Sequence, residues 1–136
     1  MHRIVIADDD GDLRTLLRVI IESTGELEIV GEAESGIEAI ELAAKLSPDI
    51  VVLDVIMPAL DGLRALPKVV SSGARVVMLT SLLHEDIINR ASLRGASAFV
   101  NKAHAAEDLV ETLRVVAGPL GDRSFLLHQA EDHPKR

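Results

Sequence analysis

The sequence predicts a doubly wound α/β domain, in which a parallel sheet carries helices on both faces. Short aliphatic segments alternate along the chain with longer segments whose apolar residues recur at helical spacing. Polar residues do not alternate with apolar ones inside the aliphatic segments, as they would in a strand with one wet face. These segments are therefore predicted to be strands buried on both sides, which is typical of parallel sheets.

Composition limits the protein to one aliphatic domain. The 136 residues are 48% hydrophobic, enough for a single core, since a chain of this length buries roughly 68% of its unfolded surface. With two Phe and no Tyr or Trp, the core must be built from Leu, Ile, Val and Ala. The absence of Cys excludes disulfides, thiolate zinc sites and cysteine nucleophiles.

The charge and the hydropathy pattern favour a cytoplasmic domain without a membrane segment. A formal net charge of −8 argues against direct nucleic-acid binding by this domain, because phosphates require clustered Lys and Arg. No stretch approaches the ~18 apolar residues of a membrane-spanning helix, and the N-terminus lacks a signal-peptide profile. We therefore expect no membrane association and take the cytoplasm as the compartment.

The first two strand–helix units follow from apolar spacing and helix stops. Residues 4–7 are a strand, and the aliphatic residues after it recur with helical spacing until near Gly25. Residues 27–30 are the second strand. The second helix, at 37–46, ends before Pro48 because the residue preceding a proline disfavours helical backbone.

The third unit contains the most informative strand. Residues 50–53 are four consecutive aliphatic residues, and Asp54 follows them directly. Because Pro58 takes the chain out of extended pairing, Asp54 is predicted at the carboxyl end of the strand, where open α/β folds place ligands. A third helix is predicted at 61–71, and its internal Pro67 indicates either a start close to that residue or a bend there.

The last two units complete a series of five. Strands are predicted at 75–80 and 98–100, and helices at 84–94 and 105–117, the first of these helices ending at Gly95. Repeated strand–helix units predict right-handed crossovers and a parallel sheet.

Polar side chains follow four of the predicted strands at the same edge of the sheet. They are Asp8 and Asp9 after the first strand, Asp54 after the third, Thr80 at the end of the fourth and Lys102 shortly after the fifth. Converging carboxylates repel unless a cation compensates. Hard oxygen ligands favour Mg²⁺, and a nearby hydroxyl and ammonium suit phosphoryl oxygens. The edge therefore looks built to carry a phosphoryl group.

Together these residues resemble the receiver domain of bacterial two-component response regulators over residues 3 to about 118. The resemblance is carried by Asp8-Asp9, Asp54 with Met57-Pro58 and Asp61-Gly62, Thr80-Ser81, Gly95-Ala96, and Phe99 three places before Lys102. It implies a flavodoxin-like (βα)5 fold with strand order 2-1-3-4-5. It also implies a signalling phosphoacceptor, which catalyses only its own phosphorylation and dephosphorylation.

The resemblance assigns roles to the site residues. Asp54 would accept the phosphoryl group from a histidine kinase or phosphotransfer protein. Mg²⁺ would be bound by Asp9, Asp54 and the backbone carbonyl of Ile56, with Asp8 assisting through water. Thr80 and Lys102 would contact the phosphoryl oxygens.

The resemblance also predicts a switch. Phe99 would be its aromatic residue and would respond to Thr80, and the face formed by the fourth helix, fifth strand and fifth helix would bind an output partner or a second copy. Two residues depart from the family pattern: Ala103 stands where many receivers have a proline in a cis bond, and Phe99 replaces the commoner Tyr.

Two aliphatic residues are expected to prolong the life of the phosphoryl group. Ile56 and Leu82 lie two residues after Asp54 and Thr80, where a side chain can hold or block the water that attacks the phosphorus. Neither can hydrogen-bond that water, so we expect slow hydrolysis.

One enzyme reading competes with the receiver interpretation. An apolar strand followed by Asp8, Asp10 and Gly11 also resembles the D-x-D-G motif of haloacid-dehalogenase-type phosphatases, with Asp8 as nucleophile. That reading lacks a correctly placed downstream acidic pair and leaves Asp54 without a role.

The domain is predicted to span residues 1–118, and residues 119–136 are predicted to be a tail or linker. That segment is polar at its end and holds one apolar cluster, at 125–127. It suits either a single-domain regulator or the linker to a DNA-binding domain of the helix-turn-helix class.

Overall fold

The computed structural model describes residues 1–81 and 84–118, and these form one five-stranded parallel sheet with the order β2-β1-β3-β4-β5. The strands are β1 (His2–Ala7), β2 (Leu27–Ala33), β3 (Ile50–Asp54), β4 (Arg75–Thr80) and β5 (Ala98–Asn101). The helices are α1 (Gly11–Glu22), α2 (Gly36–Leu46), α3 (Gly62–Ser71), α4 (Glu85–Leu93) and α5 (Ala105–Ala117). A 3₁₀ turn, Lys102–His104, joins β5 to α5. The predicted fold class and strand order are confirmed, whereas the predicted tail and Leu82 lie outside the described residues.

Both faces of the sheet are buried, as the aliphatic strands predict. On β3, Val51 and Leu53 belong to the core beneath α2, α3 and α4, and Ile50 and Val52 belong to the core beneath α1 and α5. All five residues of this strand are buried. Asp54 is therefore the end of a strand with no wet side, and its carboxyl group can reach solvent only at the carboxyl edge of the sheet.

The second strand is longer than the sequence pattern predicts. It runs to Ala33, and its register against β1 shifts between Ile4, which pairs with Ile29, and Val5, which pairs with Gly31. The predicted strand ended at residue 30, and the observed strand continues through Gly31 and Glu32. The extension places Glu32 beside the carboxyl end of β1.

Pro67 lies inside α3, which begins at Gly62, so the alternative of a helix start close to the proline is wrong. Proline has no N–H to donate to the carbonyl four residues earlier. That carbonyl, of Leu63, accepts a hydrogen bond of 3.1 Å from Arg94 Nη1 at the end of α4. A side chain from a neighbouring helix thus satisfies the carbonyl that the proline leaves unpaired.

The loop after β3 packs too closely for side chains at two positions. A Cβ on Gly62 would lie 1.9 Å from the carbonyl oxygen of Asp54, and a Cβ on Gly36 would lie 2.1 Å from that of Leu60. Both glycines donate their N–H in this region, Gly62 to Val55 O at 2.7 Å and Gly36 to Leu60 O at 2.8 Å. The starts of α2 and α3 therefore hold the loop that follows Asp54.

No helix among residues 1–81 and 84–118 is long and apolar enough to cross a membrane.

Gly62→Ala is expected to lower the free energy of unfolding by about 1–3 kcal/mol, because backbone must move to admit the new methyl group. Gly11→Ala is the matched control, since its Cβ would meet nothing closer than Arg14 Nη2 at 3.5 Å. Urea denaturation of the two variants and the parent measures the difference. Equal midpoints for Gly62→Ala and the parent would contradict the packing argument.

Candidate functional site

Four elements bring the predicted site residues to the carboxyl edge of the sheet. Asp8 follows β1, Asp54 and Thr80 end β3 and β4, and Lys102 follows β5 directly. The side chains of Asp8, Asp54 and Thr80 are buried, with the residues 0%, 3% and 1% exposed. Polar groups this far from water require partners within the protein.

Lys102 links the two buried carboxylates. Its Nζ lies 2.8 Å from Asp8 Oδ2 and 2.9 Å from Asp54 Oδ2. The Asp54 contact is a directed hydrogen bond, whereas the Asp8 contact is an ion pair without that geometry. One ammonium group therefore bridges β1 and β3 from the far side of the sheet and offsets part of the repulsion between their acids.

Backbone amides hold the remaining carboxylate oxygens. Asp10 N donates to Asp8 Oδ1 at 2.9 Å, and Ile56 N donates to Asp54 Oδ1 at 3.3 Å. Asp10 itself caps α1, accepting from the amides of residues 12 and 13 at 3.1 Å each. Both buried carboxylates are thus oriented by the turn that follows their own strand.

Asp9 completes a triad of acids with metal-binding geometry. One carboxylate oxygen from each of Asp8, Asp9 and Asp54 lies within 4.8 Å of the other two, and Asp9 is exposed to solvent. The donors are all oxygen, which suits Mg²⁺, and the exposed member leaves a side open for the waters that Mg²⁺ retains. The residues present therefore fit the predicted ion.

The predicted switch residues occupy the neighbouring strands. Thr80 pairs in register with Asn101, and Phe99 pairs with Met78. The Phe99 ring is buried, with the residue 2% exposed, in the core that also contains Ile87 of α4. The peptide bond before Ala103, where the family pattern has a proline, is trans.

Of the two residues expected to shield the phosphoryl group, the structure describes only Ile56. Ile56 is 56% exposed, and its amide contacts Asp54. The Ile56 side chain is thus open to solvent, and its shielding role stays a prediction. Leu82 lies outside the described residues.

Burial and charge shift the pKa of two site residues. The pKa of Asp54 is raised, mainly by burial and also by the nearby Asp8, although hydrogen bonds from Lys102 and Ile56 N act in the opposite direction. Burial lowers the pKa of Lys102, but its contacts with Asp8 and Asp54 together outweigh burial and raise it. Lys102 therefore stays charged, whereas the fold disfavours the ionised form of Asp54.

Sequence reasoning missed a network of charges beside the site. Arg14 Nη1 donates to the backbone carbonyl of Asp8 at 2.5 Å, and Arg14 Nε donates to Glu32 Oε1 at 2.8 Å. Glu32 also binds Arg18, through Nη2 at 2.6 Å. The second strand was predicted to end before Glu32, so nothing in the pattern placed this acid near α1. Two arginines one helical turn apart were the only signal available.

Comparison with known proteins identifies the family. A sequence model of the response regulator receiver domain matches residues 4–114. The chain belongs to this family.

The chain is similar to chemotaxis proteins and to methylesterases, among other proteins. The chain is 34% identical over 119 residues to chemotaxis protein CheY of Listeria monocytogenes, covering 86% of this chain and 99% of that protein. It is 43% identical over 114 residues to protein-glutamate methylesterase/protein-glutamine glutaminase 5 of Myxococcus xanthus, covering 80% of this chain and 33% of the relative. The chain thus spans about a third of the methylesterases that it matches.

Solved receiver domains share the fold. The response regulator domain of Thermotoga maritima CheB aligns with a TM-score of 0.82 at 33% identity, covering 88% of this chain and 99% of that one. The signal receiver domain of NarL from Mycobacterium tuberculosis aligns with a TM-score of 0.80 at 29% identity, covering 85% and 95%.

The haloacid-dehalogenase interpretation is not supported. The family match assigns the chain to receiver domains, and Asp54, which the phosphatase reading leaves without a role, lies in the centre of the acidic site, bound to Lys102. In this family the acidic pocket binds Mg²⁺ and the domain transmits signals between histidine kinases and output domains.

Asp54→Asn is expected to stabilise the fold near neutral pH. The folded-state pKa of Asp54 is raised. Its contribution to stability is therefore full below the unfolded-state pKa and is lost as the pH rises through the folded-state pKa. The advantage of the Asn variant should be largest near pH 7 and shrink towards about pH 4. The raised pKa of Lys102 changes the free energy of unfolding only at alkaline pH, outside this range.

Denaturation of parent and variant across this pH range without divalent metal tests the sign. Glu41→Gln, which removes an exposed acid on α2, is the control and should leave the pH profile unchanged. A variant less stable than the parent at pH 7 would contradict the raised pKa.

Proposed function

We propose that the chain is a Mg²⁺-dependent phosphoacceptor in which Asp54 takes the phosphoryl group from a histidine kinase or phosphotransfer protein. The observation that carries this proposal is the bridge from Lys102 Nζ to the buried carboxylates of Asp8 and Asp54, at 2.8 and 2.9 Å, with Asp9 at the rim. Burial and the neighbouring Asp8 raise the pKa of Asp54, so a divalent cation bound beside the acids would favour the ionised form that accepts the phosphoryl group.

The contacts of Asp54 suggest how its carboxylate reacts. Ile56 N holds Oδ1, and Lys102 holds Oδ2. With both oxygens fixed, the carboxylate attacks the phosphorus without first losing rotational freedom. The bond from phosphorus to the donor nitrogen breaks as the bond to oxygen forms, and Lys102 can then move its ammonium group to a phosphoryl oxygen. Thr80, at the end of the adjacent strand, supplies a hydroxyl donor for another oxygen.

We assign Mg²⁺ to Asp9, Asp54 and the backbone carbonyl of Ile56, with Asp8 bound through water. When bound there, the ion would supply positive charge against the phosphoryl oxygens. The carboxylates must hold it close to Asp54, and carboxylate oxygens of Asp8, Asp9 and Asp54 that lie within 4.8 Å of one another support this placement. Lys102 keeps the two buried acids together until the donor arrives.

Phosphorylation is proposed to act through Thr80 and Phe99. If Thr80 is drawn towards the phosphoryl group, it vacates space beneath α4, and the buried position of Phe99 becomes more favourable. With no phenolic hydroxyl, Phe99 loses no hydrogen bond when it is buried. The face of α4, β5 and α5 would then bind an output partner or a second copy.

We further propose that residues 1–118 form the receiver domain and residues 119–136 a tail or linker. The family match at residues 4–114 supports these limits for the receiver domain. No reaction beyond phosphorylation and dephosphorylation is proposed for this domain, since the methylesterase relatives are about three times its length. Following the family, we place the exchange in the cytoplasm and expect neither nucleic-acid nor membrane binding by this domain.

A small-molecule phosphodonor with Mg²⁺ is expected to add one phosphoryl group, on Asp54. Intact-mass spectrometry should show a single label on the parent, none on Asp54→Asn and none when the metal is chelated. Asp10→Asn is the matched control, because Asp10 adjoins the site but caps α1 instead of contacting Lys102. Label on Asp54→Asn, or label without a divalent cation, would refute the assignment.

Ile56→Asn is expected to shorten the life of the phosphoryl group. An amide can orient the attacking water where the exposed isoleucine only shields the phosphorus, and one such hydrogen bond corresponds to up to about tenfold in rate. The decay of the label at saturating Mg²⁺ measures the effect. Leu93→Asn, at an aliphatic residue on α4 that is 89% exposed, should decay like the parent. If Ile56→Asn also decays like the parent, the shielding argument fails.

A further inference from the structure

Arg14 ties the turn that carries the first two acids to the second strand. Its guanidinium donates to three acceptors: the backbone carbonyl of Asp8 at 2.5 Å, Glu32 Oε1 at 2.8 Å and Glu34 Oε1 at 3.3 Å. The side chain is only 12% exposed, although it carries a permanent charge. A buried arginine with three separate acceptors is held rigidly, because each bond restricts the planar group in a different direction.

The carbonyl that Arg14 binds belongs to the peptide group between Asp8 and Asp9. The amide of Asp8 is fixed as well, since it donates to Ala33 O at 3.0 Å. The Asp8 amide is thus attached directly to the carboxyl end of β2. The Asp8 carbonyl is attached to the same strand through Arg14 and Glu32. The peptide plane in turn sets the direction in which the Asp9 carboxylate leaves the turn.

Asp9 has more need of such support than its neighbours. Asp8 and Asp54 are buried and held by Lys102. Asp9 is exposed, yet its carboxylate stands within 4.8 Å of theirs. An exposed carboxylate keeps that geometry only if its backbone is fixed.

We infer that Arg14 is a positioning residue of the phosphorylation site, which fixes the peptide between Asp8 and Asp9 so that both carboxylates face Mg²⁺. This inference rests on the proposed function. Groups that orient metal ligands without touching the metal commonly contribute 10–100-fold to affinity.

Arg18 provides a matched comparison on the same helix. It binds the same acid, Glu32 Oε2, through Nη2 at 2.6 Å and Nε at 2.9 Å, one helical turn after Arg14. Within residues 1–81 and 84–118, the Arg18 guanidinium binds Glu32 and Glu22, whereas the Asp8 carbonyl is bound by Arg14. A general loss of charge pairing between α1 and β2 should therefore appear in both arginine variants, and a loss of positioning only in the Arg14 variants.

The test is a Mg²⁺ titration of the full chain by calorimetry and by amide NMR shifts, since the protein has no Trp or Tyr to report binding. Arg14→Lys keeps the charge but offers one compact donor group for three acceptors. Arg14→Met keeps the aliphatic stem, which protects the packing of the helix if the lysine variant does not fold. Both are expected to raise the Kd for Mg²⁺ about tenfold, and Arg18→Lys less than about twofold.

Phosphodonor kinetics separate positioning from a loss of structure. If Arg14 only positions the ligands, saturating Mg²⁺ restores the parent labelling rate in Arg14→Lys, and the concentration for half-maximal rate rises. Unchanged Mg²⁺ affinity in both Arg14 variants, or an equal loss in Arg18→Lys, would overturn the inference. A parent that neither binds Mg²⁺ nor takes label would instead refute the proposed function, so the two failures are distinguishable.

Discussion

The structure depends on one ammonium group placed between two buried carboxylates, those of Asp8 and Asp54. Asp8 follows β1 and Asp54 ends β3, two inner strands of the sheet whose aliphatic side chains belong to the cores, and Lys102 reaches both acids from the end of the last strand. Burying such a pair without a cation would cost several kcal/mol per charge. The sheet therefore has to place the end of β5 close enough for Lys102 to reach Asp8 after β1 and Asp54 at the end of β3. This requirement links the strand order to the chemistry of the site.

Close backbone contacts at the starts of α2 and α3 also hold the loop that follows Asp54. Glycines at the starts of α2 and α3 let both helices approach the loop after Asp54 to distances that no side chain allows. Ala59, in the same loop, adopts a φ of 67°, a conformation that residues with a Cβ rarely take. A loop held in this way keeps the backbone of Ile56 beside Asp54. The backbone strain of this loop is confined to Ala59, and the loop in return keeps the Asp54 carboxylate oriented.

The sequence predicts the site better than it predicts what supports the site. Asp8, Asp54, Thr80 and Lys102 could be placed at one edge because the ends of parallel strands share an edge, and the family resemblance supplied the strand order. The link from Arg14 to Glu32 could not be predicted, since it depends on the register shift between Ile4 and Val5 and on a strand that continues through a glycine. The run of α3 through Pro67 likewise needs Arg94, which is distant in the chain. Periodicity describes each element alone, whereas these contacts join two elements.

The two ends of α4 differ in how firmly they are held, because Pro67 of α3 leaves a carbonyl that binds only one of them. At the carboxyl end of α4, Arg94 is bound to the carbonyl that the proline leaves unpaired, and a Cβ on Gly95 would lie 3.2 Å from Val70 of α3. At the amino end, His84 makes no side-chain capping bond. If Thr80 moves as proposed, α4 would therefore rotate about its carboxyl end, where Arg94 binds the Leu63 carbonyl. The greatest displacement would then occur at Glu85 and Asp86, so the end expected to move carries two acidic residues.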